Sequence, residues 1–595
     1  MSTSEIGLTV ASCLFCMALV AWVAYLKTRG EVATRDGYFL AGRGLSGTFI
    51  AGSLLLTNLS AEQLIGLNGS AFGFNMTSMA WEVTAGAAII VMALFFLPRY
   101  LGGAFSTLPG FLESRFDSGV RRLSAGLFLL GYGLITIPSI LYSGSLAVLR
   151  LFDVPALLNL TFQDSLLVVL GVIGTIGGAY AIFGGLRAVA VSDTINGIGL
   201  LLIGLLVPAF GLIALGNGDW QLGLHTVLQE DTHKLNAIGS ASDPTPFATL
   251  FTGMILANLF YWGTNQYVIQ RTLGAKSLAE GQKGVLLAGF FKLLVPFLMM
   301  FPGLIAYHLY DGQLQTMDLA YPTLVADVLP VYLSGLFLAV LLGAVFSSFN
   351  SLLNSAATLY CLDIHQPLLK RPLGDAQLIR LAKWVGLVIA GFSFIVAPQL
   401  QYAPEGLWQV IRVFTGFYNI PIITIVLVGL FTKRVPALAA KVVVVFHILA
   451  YASAKFLWPI DMNFIHIYAV LFVIEVLLMI IIGYWRPRST PWHYEQHEQV
   501  DMTPWRLALP TAILLATGIV FNYLLFSPVG LVGGIGASFY GASLALALLC
   551  GLCCWLSLNR WQRRYTAGLL QRGATVYGQD GTSNASSEIR RQKQR

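Results

Sequence analysis

Runs of about twenty apolar residues, the length a helix needs to cross a bilayer, recur from one end of this chain to the other. Read by hydropathy they number fifteen, near 7–26, 46–66, 78–98, 123–149, 164–184, 190–214, 248–268, 284–308, 332–361, 381–398, 406–431, 439–457, 464–485, 507–526 and 534–557. Composition agrees: 56% of the 595 residues are hydrophobic and 11% are charged, against about 25% charged in a soluble chain. Nothing this apolar folds in water, which excludes soluble enzymes and nucleic-acid binders. The segment Met1–Ile6 lacks a basic stretch, so the first run reads as an ordinary spanning helix and not as a cleaved signal.

Placing alternate linkers on alternate sides tests the count. One side collects Lys27, Arg29, Arg35 and Arg43, then Arg99, Arg115, Arg121 and Arg122, and so on to the tail, thirty of the 35 Lys and Arg residues. The other side holds only Arg150, Lys234 and Lys455, while Lys292 and Arg412 fall inside spans. Positive charge collects on the cytoplasmic side, so the N-terminus is expected outside and the C-terminus in the cytoplasm. The net charge of +7 is then a matter of topology and calls for no nucleic acid. The tail from Gly578 is polar, rich in Gly and Ser, and reads as disordered.

Searches for chemistry return little. No G-x-x-x-x-G-K-[ST] phosphate loop is present, so ATP is not expected to drive this chain. The six cysteines lie in or beside apolar spans, where packing explains them better than metal or disulfide chemistry. His493 and His497 would share a helical face, but no third ligand accompanies them.

The informative residues are polar ones inside apolar runs. Span 46–66 is apolar through Leu56 and then reads Thr57-Asn58-Leu59-Ser60-Ala61-Glu62-Gln63. Span 248–268 carries Asn258 and then Tyr261-Trp262-Gly263-Thr264-Asn265-Gln266. A polar break in mid-span is the mark of a discontinuous helix, whose unwound backbone offers carbonyls to a cation and N–H groups to a solute. A polar contact between helices is the plainer reading. These spans are the first and sixth of ten, the corresponding places in two five-helix halves. Glu82, Lys292, Arg412 and Asp193 also lie within apolar spans. Each costs roughly 2.5–3.5 kcal/mol at a helix centre unless it has a partner or a water-filled cavity. Arg412 could instead snorkel outward or pair with Glu82, and Asp193 could sit at the interface. Ala344, Ser347 and Ser348 fall midway along span 332–361, and adjacent hydroxyls with a carbonyl suit a hard cation.

These segments resemble the sodium/solute symporter family, within it the sodium–sugar branch. The resemblance rests on Asn58 through Gln63, on Asn258 through Leu273, and on Tyr180 through Ala188, and it covers roughly 30–525. It implies an all-α integral membrane protein with a LeuT-type core of two inverted five-helix repeats, discontinuous first and sixth core helices, and about 15 transmembrane helices in total. Segments 46–214 and 248–431 would form the repeats, joined by an external loop at 215–247. An extra helix and loop at 1–45 would precede them. Four helices at 432–558 and a basic tail at 559–595 would follow.

The resemblance also implies solute contacts at Gln63, Glu82, Asn258 and Lys292, with Tyr261 as an inner gate beside Trp262 and Asn58. It implies sodium, the coupling ion, at the carbonyls of Leu56, Leu59 and Ala344 and the hydroxyls of Ser347 and Ser348. A second sodium would lie among Asp193, Ser347, Asn350 and Ser351, the last three spaced to share one helical face. The sequence departs from the sodium–galactose pattern at Arg412, where glutamine is usual, and at Trp81 and Ala85. The expected function is sodium-coupled symport of a sugar or sugar-like solute across the bacterial inner membrane. The partners expected are the solute, sodium and lipid. A non-sugar solute or an anionic sugar acid is the alternative, and a membrane enzyme or non-transporting sensor a more distant one.

Overall fold

The computed structural model describes residues 3–28, 35–183, 186–369, 371, 373–402, 407–495, 497 and 500–577. Among them, twelve helices are long and apolar enough to cross a membrane, and a thirteenth crossing is made by the pair Gly47–Asn58 and Ala61–Gly73, bent by 56°. Two of the fifteen predicted spans fall short of that test. The run at 248–268 is split into Gly253–Gly263 and Gln266–Leu273, each too short to cross alone. The run at 164–184 lies on Phe162–Phe183, whose apolar part is shorter. Large apolar side chains such as Phe15, Trp384, Val388 and Tyr484 cover the outside of the bundle, as lipid requires.

Core helix 1 is the bent pair. Helices 2 to 5 are Met76–Gly102, Ser118–Leu149, Phe162–Phe183 and Leu186–Leu215. Core helix 6 is the split pair. Helices 7 to 10 are Leu278–Leu309, Val331–Leu368, Asp375–Tyr402 and Leu407–Phe431. Helix 1 packs on helices 5 and 7, helix 5 on helix 8, and helix 6 on helices 2 and 10. The approach of helices 1 and 5 depends on Gly52, where an added Cβ would lie 2.5 Å from Thr194 Oγ1. The N-terminal helix Ser4–Leu26 lies against helices 5 and 8.

Both breaks follow from local hydrogen bonding. Ser60 is extended (φ −86°, ψ 170°), and its N–H turns back to the Asn58 carbonyl at 2.9 Å. The Leu56 carbonyl, which that N–H would otherwise meet in a helix, is left to accept from elsewhere. In helix 6 the N–H groups of Thr264 and Asn265 both reach the Phe260 carbonyl. Tyr100 donates to the Gly263 carbonyl at 2.8 Å, and Tyr132 donates to Asn265 Oδ1 at 2.6 Å. Helix 7 widens by one residue at Pro296, whose missing N–H leaves the carbonyl of Lys292 without its helical donor.

Helices 437–457 and 464–485 grip helix 10. His447 Nε2 faces the Gly416 carbonyl at 2.9 Å, and its Nδ1 lies 2.5 Å from Glu475 Oε1. Thr424 donates to Glu475 Oε2 at 2.8 Å. Tyr451 and Tyr468 donate to the carbonyls of Val413 and Arg412. A carbonyl only accepts, so Nε2 donates to Gly416, and both side chains are fully buried.

Some expectations need correction. Arg271, one of the thirty cations counted on the basic side, is fully buried and bonds to Ser53 and Ser351. Asp193 is fully buried within the bundle, about two turns into the helix that begins at Leu186. The tail before Gly578, for which no disorder was expected, is helical through Tyr577, and the last spanning helix continues without a break to Leu569. The segment expected to be disordered, from Gly578, lies outside the described residues. His493 and His497 are not on a helix.

Candidate solute and sodium sites

Between the two breaks lies a cavity of about 50 Å³. Every residue expected to touch the solute lines it: Asn58, Gln63, Glu82, Asn258, Tyr261, Trp262, Lys292 and Arg412. Glu82 is its electrostatic centre. Lys292 forms an ion pair with Glu82 Oε2, with the two side chains only 4% and 2% exposed. Gln63 donates to Glu82 Oε1 at 3.1 Å, and Arg412 Nη2 stands 4.0 Å from the same oxygen. Asn258 donates to the Thr84 hydroxyl at 2.9 Å, bringing helices 6 and 2 together.

The cavity is closed on one side by tyrosines. The hydroxyls of Tyr261 and Tyr267 meet at 2.8 Å, and Tyr132 packs edge-on against Tyr267. On the other side Trp81 stacks on Phe464. Beyond them lies a wider vestibule of about 430 Å³, lined by Ser70, Phe74, Asp318, Trp408, Gln409 and Lys455 among others. Asp318 accepts from the Leu407 N–H, and its burial raises its pKa above the usual carboxylate value while that bond lowers it.

Several polar atoms of the cavity residues have no partner. They are Asn58 Oδ1, Gln63 Oε1, Asn419 Oδ1 and Arg412 Nε, all buried. An orphaned buried polar atom costs about 1–3 kcal/mol, and four of them belong to residues lining this one cavity. Glu62 belongs to this site although sequence reasoning read it only as part of the polar break. It lines the cavity and accepts from Ser139 at 2.8 Å. Nothing in the local sequence told which face of the restarted helix Glu62 would present.

The residues expected to hold a cation stand next to the first break. The Leu56 carbonyl, freed by the turn at Ser60, accepts from the Ser348 hydroxyl at 3.2 Å. Ser347 donates to Asp193, which also accepts from Ser53 at 2.7 Å. Ser347 therefore keeps its oxygen lone pairs for a cation while its proton is held by the carboxylate. Leu59 follows in the break and Ala344 lies one turn before Ser348, both buried. Carbonyl and hydroxyl oxygens of this kind fit a hard cation.

Of the residues expected around a second ion, Asp193 and Ser347 meet. Ser351 instead bonds to Arg271, whose Nε donates to Ser53 at 2.9 Å. The Asn350 side chain is buried with no partner at either end. Two further ionisable residues went unnoticed in the sequence, His447 and Glu475. The signal was available, for each lies in mid-span where a titratable group is costly.

A profile of the sodium:solute symporter family matches residues 38–444. The chain belongs to that family. It is 42% identical over 550 residues to an Escherichia coli protein described as the uncharacterized symporter YidK, covering 92% of this chain and 95% of that one. It is 32% identical over 480 residues to the sodium/glucose cotransporter of Vibrio parahaemolyticus, covering 77% and 86%. A solved structure of a sodium-coupled sialic acid symporter superposes with a TM-score of 0.70 at 21% identity, over 82% of this chain and 99% of that one. At that identity the likeness concerns the fold, which is the LeuT-type arrangement expected. The chain is thus a multi-pass membrane transporter and not an enzyme, and sodium is its coupling ion.

Proposed function

We propose that this symporter imports a sugar-like, polyhydroxylated solute with sodium across the bacterial inner membrane, with its N-terminus outside and its tail in the cytoplasm. The observation that carries the reading is the set of unpartnered amide oxygens of Asn58, Gln63 and Asn419 around one cavity. Such acceptors want hydroxyl donors, and several hydroxyls on one small framework describe a sugar or polyol. The 32% identity to a sodium/glucose cotransporter supports it. The solute would contact Gln63, Glu82, Asn258, Lys292 and Arg412, with Asn58, Tyr261 and Trp262 on the inner side. Sodium would be held by Leu56, Leu59, Ala344, Ser347 and Ser348.

Coupling follows from the shared helix. The break at Asn58–Ser60 gives its carbonyls to the cation site and its side chains to the cavity. An ion that ties helix 1 to helix 8 therefore shapes the solute site, and each ligand raises affinity for the other by the same factor. One charge moving inward contributes about 2.3 kcal/mol per 100 mV, so no ATP is required. A second sodium among Asp193, Ser347, Asn350 and Ser351 is favoured by the free amide of Asn350, and would require Arg271 to release Ser351. Replacing Ser347 and Ser348 together by alanine tests the principal site. Uptake in proteoliposomes should lose its sodium dependence while expression and folding persist. Unaltered sodium activation would remove this site from the mechanism.

A further inference from the structure

Four charged side chains line the cavity, and three have a hydrogen-bonded partner. Glu82 and Lys292 pair with each other, and Glu62 accepts from Ser139. Among the described residues the Arg412 head group makes no hydrogen bond. Its Nη2 is 4.0 Å from Glu82 Oε1, beyond hydrogen-bond reach, and its Nε is buried without an acceptor. It is nonetheless held firmly. The guanidinium carbon lies 3.9 Å from the Trp408 ring centre and 4.8 Å from that of Trp81, and Tyr468 bonds the carbonyl of the same residue.

Indole faces take the flat side of a guanidinium and leave its in-plane N–H edges to other partners. That edge is a fork of parallel donors, which matches the paired oxygens of a carboxylate, sulfonate or sulfate. A lone hydroxyl engages only one prong. Glu82 balances this charge only at 4.0 Å, and the side chain is 16% exposed, so a cation inside a membrane protein still gains from a closer anionic partner. The charges agree with an arriving anion. Two carboxylates and two cations leave the cavity neutral, so a monoanion entering with one sodium ion keeps the buried region neutral as well.

We infer that the solute is a polyhydroxylated oxyanion, a sugar acid or sugar sulfate, whose anionic group is held by Arg412 at the Trp81 and Trp408 side of the cavity. Its hydroxyls meet the amides of Asn58, Gln63 and Asn419. The inference rests on the sugar-like reading above and narrows it.

The test uses the full-length protein in proteoliposomes at saturating sodium. The probes are D-galactose, D-glucose, their uronates and galactose 6-sulfate, taken up by the wild type, Arg412→Gln and Arg412→Lys. The wild type should show a lower KM for an anionic probe than for the neutral hexose. Arg412→Gln should raise the anion's KM about a hundredfold, the scale of losing one partner of a buried charge pair. It should shift the hexose far less, so the ratio of the two collapses. Arg412→Lys should fall between, keeping the charge and losing the fork. The uronates and the sulfate separate carboxylate from sulfate recognition. Sodium-induced thermal stabilisation should persist in both variants, which separates a lost contact from a lost fold. A wild-type preference for the neutral hexose, with a ratio that Arg412→Gln leaves in place, overturns the inference and leaves sugar symport standing. If no probe drives sodium-dependent uptake, the sugar-like reading fails and this inference falls with it.

Discussion

Removing Lys292 and Glu82 one at a time and then together separates what their pair does for the fold from what it does for transport. Lys292→Met leaves the Glu82 carboxylate buried with the Gln63 amide at 3.1 Å and Arg412 at 4.0 Å. Breaking a buried pair costs about 3–5 kcal/mol. A unit charge at 4 Å returns up to about 4 kcal/mol at an effective dielectric of 20, before desolvation. Arg412 therefore compensates in part, and Lys292→Met should lie near the low end, about 3 kcal/mol. Glu82→Gln is the harsher change. It puts a neutral amide in place of the carboxylate beside the Lys292 ammonium, leaving that charge with the Trp262 face at 5.7 Å and the Arg412 charge nearby, so about 4–5 kcal/mol is expected. The double variant removes both charges and should recover part of the loss, since the fully buried pair is deleted together and only the more exposed Arg412 loses a carboxylate neighbour. Thermal unfolding in detergent, followed by tryptophan fluorescence, ranks the three. Each should transport more slowly than the wild type, because Lys292→Met removes a donor and Glu82→Gln a charged acceptor from the centre of the cavity. A double variant no more stable than Glu82→Gln alone, or one that transports at the wild-type rate, would refute this reasoning.

Glu475→Ala should cost about 3–5 kcal/mol by stranding His447 between helices, while Glu475→Leu with His447→Leu should be close to neutral; thermal unfolding of both checks it. Lys234 donates to the Phe72 carbonyl, and burial pushes its pKa down to about 8, against a small opposing pull from Asp231. The unfolded chain then binds more protons between pH 8 and about 10.4. Folded stability should rise with pH through that window, and Lys234→Met should flatten the rise in the thermal midpoint. If a second sodium binds among Asp193, Ser347, Asn350 and Ser351, uptake should be sigmoidal in sodium and Asn350→Ala should make it hyperbolic; a wild-type Hill coefficient of one counts against that ion.

The polar break at Thr57–Gln63 was legible because polar residues in mid-span have few explanations, and the helix does end at Asn58 and restart at Ala61. The same pattern located the second break at Thr264–Asn265. Hydropathy placed most spans because lipid tolerates no unpaired backbone. It could not give geometry between distant segments. The pairing of Glu82 with Lys292 spans 210 residues of chain, and that of Ser139 with Glu62 spans 77. The burial of Arg271 was not legible, because its partners Ser53 and Ser351 lie 218 and 80 residues away along the chain. Arg412 illustrates the limit best. Its departure from the family pattern was visible, but its place was open until the two indoles and the 4.0 Å ion-pair distance to Glu82 appeared.

The central claim is that an ion at the junction of helices 1 and 8 drives a polar solute through the cavity beside it. Proteoliposomes holding the purified protein, with an inward sodium gradient and no ATP, measure this directly. Labelled hexoses and hexuronates should accumulate transiently above the external concentration, and collapse of the sodium gradient should release them. Equal accumulation with potassium in place of sodium, or equilibration with no overshoot for a solute that demonstrably enters, would contradict the account.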